Sequence, residues 1–368
     1  MRETHLHDEP AGDLPAEAWD AYWEALEAAD RPAALGIVRD LHERGVGAVQ
    51  IIDRLVVPAQ ARIGELWLDG TWSSRQEHRA TDINEGLVHW LGSFSPEPPA
   101  DSPLVLVSCA EGERHELAAL VVAEALGWAG YRVTFVGSDP EPSELLRQVL
   151  VLKPRAVLFS VSLTSSLGRQ KSLFHNIRAV GIPVVVGGQA FGGDARRATA
   201  LGATAYAESV DDVVSMLEAL PPRLRPVPAP EPGPGDLEAA WIHEYRNEIT
   251  PYVVRAVARQ HVADGAEPDW WTDFPGHLEH LVGCLMAALV TGDETIMVEV
   301  RDWLTQVLAR RAAPEGLVDE VWALLAEPLR GHPLARVHLA GSATPATPAT
   351  PAEARGDLED GLSGAAAG

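Results

Sequence analysis

The chain has 368 residues, with 29 Lys and Arg against 53 Asp and Glu, a formal net charge of −24 with His neutral. That length predicts two or three domains, and a hydrophobic fraction of 46% with 22% charged residues excludes wholesale disorder. So large a negative charge argues against nucleic acid or an anionic membrane surface as a partner, because binding to polyphosphate rests on Lys and Arg neutralising phosphates.

Residues 1–15 are acidic and lack the basic start and apolar core of an export signal, and no apolar run approaches the roughly 18 residues of a spanning helix. Only Cys109 and Cys284 are present, so at most one disulfide can form and a reduced, cytoplasmic setting is predicted. Over residues 16–98 the apolar side chains, among them Leu26, Ile51, Leu55, Val56, Ile63 and Leu66, recur at helical spacing, which predicts a four-helix bundle. Residues 102–220 change character. Short β-branched runs at 104–108, 132–137, 156–162 and 183–188 alternate with helical stretches starting near Glu116, Pro142 and Ser166, the pattern of a doubly wound parallel sheet. Residues 221–236 are too rich in proline for helix or ladder and read as a linker. Helical periodicity returns over 237–340, with helices expected at 238–263, 276–291, 293–311 and 315–329; Gly292 follows one and Pro314 precedes another. Residues 341–368 repeat Ala-Thr-Pro and then fill with small residues, a composition that predicts a disordered tail. The expected fold class is therefore α/β plus all-α.

In a doubly wound sheet, ligands bind outside the carboxyl ends of the strands. The first strand leads into Cys109-Ala110-Glu111-Gly112-Glu113-Arg114-His115, which sets a carboxylate two residues before an imidazole. A metal-binding His usually passes its other ring proton to a carboxylate, so Glu113 can orient His115 as a ligand; a loop of solvated charges explains the pair alone about equally well. The third strand runs through Ser160 towards Thr164, Ser165 and Ser166, and the fourth ends in Gly187-Gly188. Small hydroxyls and paired glycines let a bulky ligand approach the sheet edge.

Together these segments resemble the cobalamin-binding domain of methionine synthase, the corrinoid methyl carriers and the cobalamin-dependent light sensors, whose pattern is Asp-x-His-x-x-Gly, Ser-x-Leu and Gly-Gly. Glu113-Arg114-His115-Glu116-Leu117-Ala118 matches the first element with Glu for Asp and Ala for Gly, Ser160-Val161-Ser162 matches the second with Ser for Leu, and Gly187-Gly188 matches the third. The resemblance implies that His115 is the lower ligand of the cobalt, that the displaced nucleotide tail runs beside Ser160 and Gly188, and that Thr164 and Ser166 line that slot or buttress the Glu113–His115 contact. Trp67, separated by nine residues from Glu77-His78, resembles the corresponding motif of the adenosylcobalamin photoreceptors. It implies that the bundle caps the upper face of the corrin, with Trp67 stacked over the adenosyl group and Glu77 and His78 bonding to it; a core Trp and a surface pair are the plainer reading. Leu68 stands where some of these photoreceptors carry a His that captures cobalt after photolysis, which excludes a two-histidine photoproduct by that route.

The 237–340 block is rich in aromatics and histidines, including Trp241, Trp270, Trp271, His277, His280, Trp303 and Trp322. His277 and His280 at helical spacing are simply a solvated face in most such helices. The alternative is a pocket for a linear tetrapyrrole, with aromatic walls, with Asp269, Asp273 or Glu279 for its pyrrole protons, and with Arg255, Arg301, His261 and His277 for its propionates. The order of domains resembles the photocobilins, in which a cobalamin module joins a helical, globin- or phycobilisome-like bilin-binding domain, and this implies biliverdin as a second cofactor. Cys284, in apolar surroundings, reads as a core thiol rather than a bilin linkage. The expectation is a light-sensing regulatory protein, not an enzyme, that binds adenosylcobalamin and biliverdin and signals to an effector protein without direct DNA binding; the alternative is a corrinoid methyl carrier. A homo-oligomer is left open.

Overall fold

The computed structural model describes residues 14–221, 223–262 and 268–342, so all but the first two residues of the expected tail lie outside it. The bundle forms as expected, from α1 (Ala16–Glu27), α2 (Arg31–Glu43), α3 (Ala48–Ile51) continued into α4 (Val57–Leu68), and α5 (Ser74–Gly92). Between α3 and α4 the helix widens into a π-turn over Ile52–Val56, with the Val57 N–H bonded five residues back to the Ile52 carbonyl. Pro58 explains the defect, since it has no N–H to give the residue four positions back. Asp30 caps α2 by accepting from the Ala33 N–H, and Ser73 with Gln76 forms a capping box on α5.

The sheet has five parallel strands in the order β2-β1-β3-β4-β5. These are β1 (Leu104–Cys109), β2 (Arg132–Gly137), β3 (Ala156–Ser160), β4 (Val184–Gly187) and β5 (Ala205–Ala207), connected by α6 (Leu117–Trp128), α7 (Pro142–Leu152), α8 (Gln170–Ala179) and α9 (Arg196–Ala200), with α10 (Val210–Ala219) following β5. Four strands stand where the β-branched runs predicted them, two of them shorter than expected. The fifth, of three residues, carries too little pattern to be read from sequence. A 3-10 turn over Thr164–Arg169 precedes α8. Helices α6 and α10 cover one face of the sheet, while α7 and α8 cover the other. Strand order reverses at β1 and β3, so the loops after these strands diverge there and open the crevice in which ligands of such sheets bind.

Beyond the prolines come α11 (Pro234–His261), α12 (Asp269–Thr272), α13 (Phe274–Thr291), α14 (Thr295–Arg310), α15 (Leu317–Ala326) and α16 (Pro333–Gly341). Helix α11 starts inside the expected linker because Pro234 suits the first turn of a helix. The C-terminal helices follow the proline-rich segment and pack back on the sheet domain. Their core is continuous with the α7/α8 face of the sheet, joining Phe159, Leu167, Phe174 and Phe191 to Leu278, Leu281, Leu285 and Met297. The reason is α13, buried at Phe274, Leu278, Leu281, Val282, Leu285 and Leu289, which is apolar around most of its circumference and must be covered on several sides. It lies directly on the 3-10 turn: a Cβ at Gly283 would stand 2.9 Å from the Ser165 carbonyl oxygen, and one at Gly168 would stand 2.7 Å from the Met286 Cβ. Buried Arg197 adds ion pairs to Asp293 (2.7 Å) and Glu299 (2.6 Å). Gly283→Val should therefore lower stability by about 1–3 kcal/mol, the usual cost of overpacking, read as a lower urea midpoint; an unchanged midpoint would mean that α13 does not dock on the turn.

Candidate functional site

The loop after β1 turns at Gly112, whose φ of +81° suits glycine, and its N–H is held by Asp139 at 2.8 Å. This turn directs Glu113 inward, where its side chain is 0% exposed, and leaves the His115 side chain 46% exposed. His115 Nδ1 lies 2.7 Å from Glu113 Oε1, which also accepts the His115 backbone N–H at 3.0 Å. The other oxygen, Oε2, accepts the N–H groups of Leu163 (2.7 Å) and Ser162 (3.2 Å) from the loop after β3. The Glu113–His115 pair is thus built across the β1/β3 switch point.

Burial pushes the Glu113 carboxyl up, but hydrogen bonds from the His115 ring and amide, with that of Leu163, outweigh it and hold the group below its ordinary value. The hydrogen bond to Glu113 raises His115 despite burial. With Nδ1 committed to a carboxylate and the ring open to solvent, Nε2 is the nitrogen left to bind a metal. That donor set fits a metal ligand: His115 would hold the cobalt of a corrinoid while Glu113 fixes its tautomer. Glu85, on the facing α5, is pushed up to about 7 by burial, then by Glu116 and Asp82.

The remaining expected residues divide. Ser160 ends β3 opposite Cys109 and Gly187. The expected buttress by Thr164 or Ser166 is not found; the amides of Ser162 and Leu163 fill that role, while Ser166 is buried and its carbonyl accepts from Gln170 (2.9 Å). Backbone donors leave no side-chain signal, so sequence could not assign them. Gly187 and Gly188 have a packing reason of their own, because a Cβ would stand 2.9 Å from the Ala207 oxygen at the first and 2.4 Å from the Val161 oxygen at the second, where φ is +106°. Arg114 is exposed and adds nothing to the Glu113–His115 pair.

On the bundle, Glu77 accepts from the Thr81 hydroxyl (2.9 Å) and lies 3.2 Å from His78 Nε2. Trp67 lies in the last turn of α4, and its indole N–H donates to Ser74 (3.1 Å), whose hydroxyl donates to Asp273 of the C-terminal helices (2.8 Å). Arg311 donates to the Trp67 carbonyl (3.0 Å) and lies over its ring, Trp303 stacks at 6.4 Å, and His277 meets it edge-on at 6.4 Å. The C-terminal helices therefore grip Trp67 on one side and the Ser165 turn on the other, where His280 Nδ1 lies 3.0 Å from the Ser165 hydroxyl.

Three of the residues expected to hold propionates, His261, His277 and Arg301, do not converge. His261 is paired with Glu320 at 2.7 Å, and Arg301 with Asp319 while lying over Trp322; His277 faces Trp67 instead. Nor are His277 and His280 a solvated face, since His277 is buried and His280 half-buried at the junction. Cys284 is a core thiol, buried and with its pKa pushed up by that burial, which disfavours the thiolate that a thioether bond requires. A cavity of about 440 Å³ between α8, the linker and α11 is lined by none of the expected residues, and its Arg169 and Lys171 are already paired with Glu111 and Asp236. Among the described residues no helix is long and apolar enough to cross a membrane.

Residues 103–215 match the B12 binding domain family, and residues 18–91 match a second family of the same description. The HTH-type transcriptional repressor CarH of Myxococcus xanthus is 28% identical over 180 residues, which are 48% of this chain and 59% of the repressor. Trimethylamine corrinoid protein 1 of Methanosarcina mazei is 24% identical over 203 residues, 53% of this chain and 93% of its own. The solved monomethylamine corrinoid protein of Methanosarcina barkeri aligns over 55% of this chain and 99% of its own, at 19% identity and a TM-score of 0.49.

Proposed function

We propose that this cobalamin-binding protein is a light sensor that takes adenosylcobalamin between its bundle and its sheet and reports to an effector protein, acting as a regulator and not as an enzyme. Adenosylcobalamin would supply a photolabile cobalt–carbon bond. The chain's own part is to hold the cofactor from below through His115, oriented by buried Glu113, and to bound its upper side with Trp67. The observation that carries the reading is the cover over Trp67. A methyl carrier must present its upper face to a methyltransferase, whereas Trp67, the residue read as bounding that face, is covered by Trp303, His277 and Arg311 of the same chain. The same helices also contact the turn beyond the Glu113 amides, so a change at either face of the cofactor reaches one body of packed helices. Likeness to a transcriptional repressor supports a regulatory role, while the charge of −24 disfavours DNA as the direct target.

Carriage of a methyl group is the second reading, favoured by the corrinoid relatives, whose own length this chain nearly spans. One experiment separates the two. Absorption of the adenosylcobalamin-loaded chain before and after green light should change in a single photoproduct step, with a change of elution volume or partner binding. A protein inert to light that instead accepts a methyl group onto the reduced corrinoid would replace the sensor with the carrier.

Biliverdin as a second chromophore of the C-terminal helices rests on their aromatic walls, with His261 and Arg301 already engaged. Titrating biliverdin into the dark and the illuminated holo-protein tests it; an absence of saturable binding would remove it.

A further inference from the structure

Two histidines on one face of α13 are treated differently by the fold. His280 is satisfied, with Nδ1 at 3.0 Å from the Ser165 hydroxyl and Nε2 at 3.5 Å from the Cys284 thiol. His277, one turn earlier, is 5% exposed and has no hydrogen-bond partner at either ring nitrogen. A buried polar group without a partner costs about 1–3 kcal/mol, and a phenylalanine would fill the same space without that cost. Such a group calls for an explanation by something that binds it. Its surroundings say where. The ring meets Trp303 edge-on at 5.3 Å and Trp67 at 6.4 Å, so it stands at the junction between the bundle and the C-terminal helices, on the side of the site that Trp67 bounds. Burial also keeps it neutral, its pKa lowered to about 4, so that it offers one donor and one acceptor.

We infer that His277 is a specificity-determining residue for the upper group of the corrinoid: it hydrogen-bonds a flat heteroaromatic group, a purine nucleoside, admitted beside Trp67. The inference rests on the adenosylcobalamin reading. The pocket above the corrin is then composite, with a stacking surface from the bundle and a hydrogen-bonding edge from the C-terminal domain. Trp67 and His277 belong to different helical layers and their rings meet at 6.4 Å, so admitting a flat group between them requires those layers to part. A methyl group has no edge to bond and leaves the imidazole unpaired. The pocket therefore discriminates through the penalty of an unmet buried hydrogen bond, a stronger lever than added apolar contact.

The test uses the full chain, loaded in the dark, and the ratio of dissociation constants for methylcobalamin and adenosylcobalamin. His277→Phe keeps the ring volume and its edge-on contacts but removes both nitrogens, and should reduce the ratio about 5- to 150-fold through weaker adenosylcobalamin binding alone. His277→Gln, which keeps a donor and an acceptor, should recover part of the preference. The apo-protein of His277→Phe should melt no lower than the parent, since an unpaired polar group is gone. A His277→Phe ratio equal to that of the parent overturns the inference, as does an equal loss for both cofactors with a lower melting temperature, the mark of a packing role. A parent protein with no preference overturns the adenosylcobalamin reading itself, and this inference with it.

Discussion

His115→Ala should weaken cobalamin binding by more than about 100-fold, because loss of even a residue that orients a ligand costs about 10- to 100-fold, and here the ligand itself is removed. The absorption of what still binds should shift to that of a corrinoid without an imidazole ligand, and added free imidazole should restore part of it. The fold should be little disturbed, since the His115 side chain is 46% exposed. A loaded mutant with an unaltered spectrum would show that another group holds the cobalt. The pH dependence is set by the same contact. Glu113 raises the His115 pKa, and a metal takes the ring only when Nε2 is unprotonated, so cobalamin affinity should fall as pH drops through that raised value. In Glu113→Gln the fall should begin at a lower pH.

Glu113→Ala should destabilise the protein even without cofactor, by about 3 kcal/mol. The buried carboxylate accepts from His115 twice and from Ser162 and Leu163, and its removal leaves two loops with unpaired donors at the centre of the sheet edge. A lower urea midpoint in the apo-protein is the measurement, and a midpoint within error of the parent would make Glu113 dispensable to the fold. The sign with pH follows from the two shifts. Glu113 is lowered from an ordinary 4.5, so its contribution is present above that value and lost as pH falls through the folded one. His115 is raised from 6.5, so its contribution is full below 6.5 and lost as pH rises through the folded value. The interaction is shared and counts once, and it should support the fold most between those two ordinary values.

Local pattern determined much of this molecule. Periodicity alone predicts the bundle and four of the five strands, because apolar spacing of one helical turn and continuous β-branched runs are properties of short windows. The Glu113–His115 pair is legible for the same reason, its two groups lying two residues apart on a loop that a parallel sheet must place at its carboxyl edge. Tertiary structure alone decided what completes that pair and what closes the site. The Ser162 and Leu163 amides are backbone donors carried in by strand order, and no residue type announces them. The proline-rich stretch correctly marks a break in secondary structure, yet it says nothing of separation in space. Helix α13 has more apolar circumference than its own neighbours can cover, so burial pulls it onto the sheet domain, where Gly168 and Gly283 permit contact that any side chain would block. That docking sets His277 against Trp67, residues 210 positions apart in the chain, and no pattern within a window could have joined them.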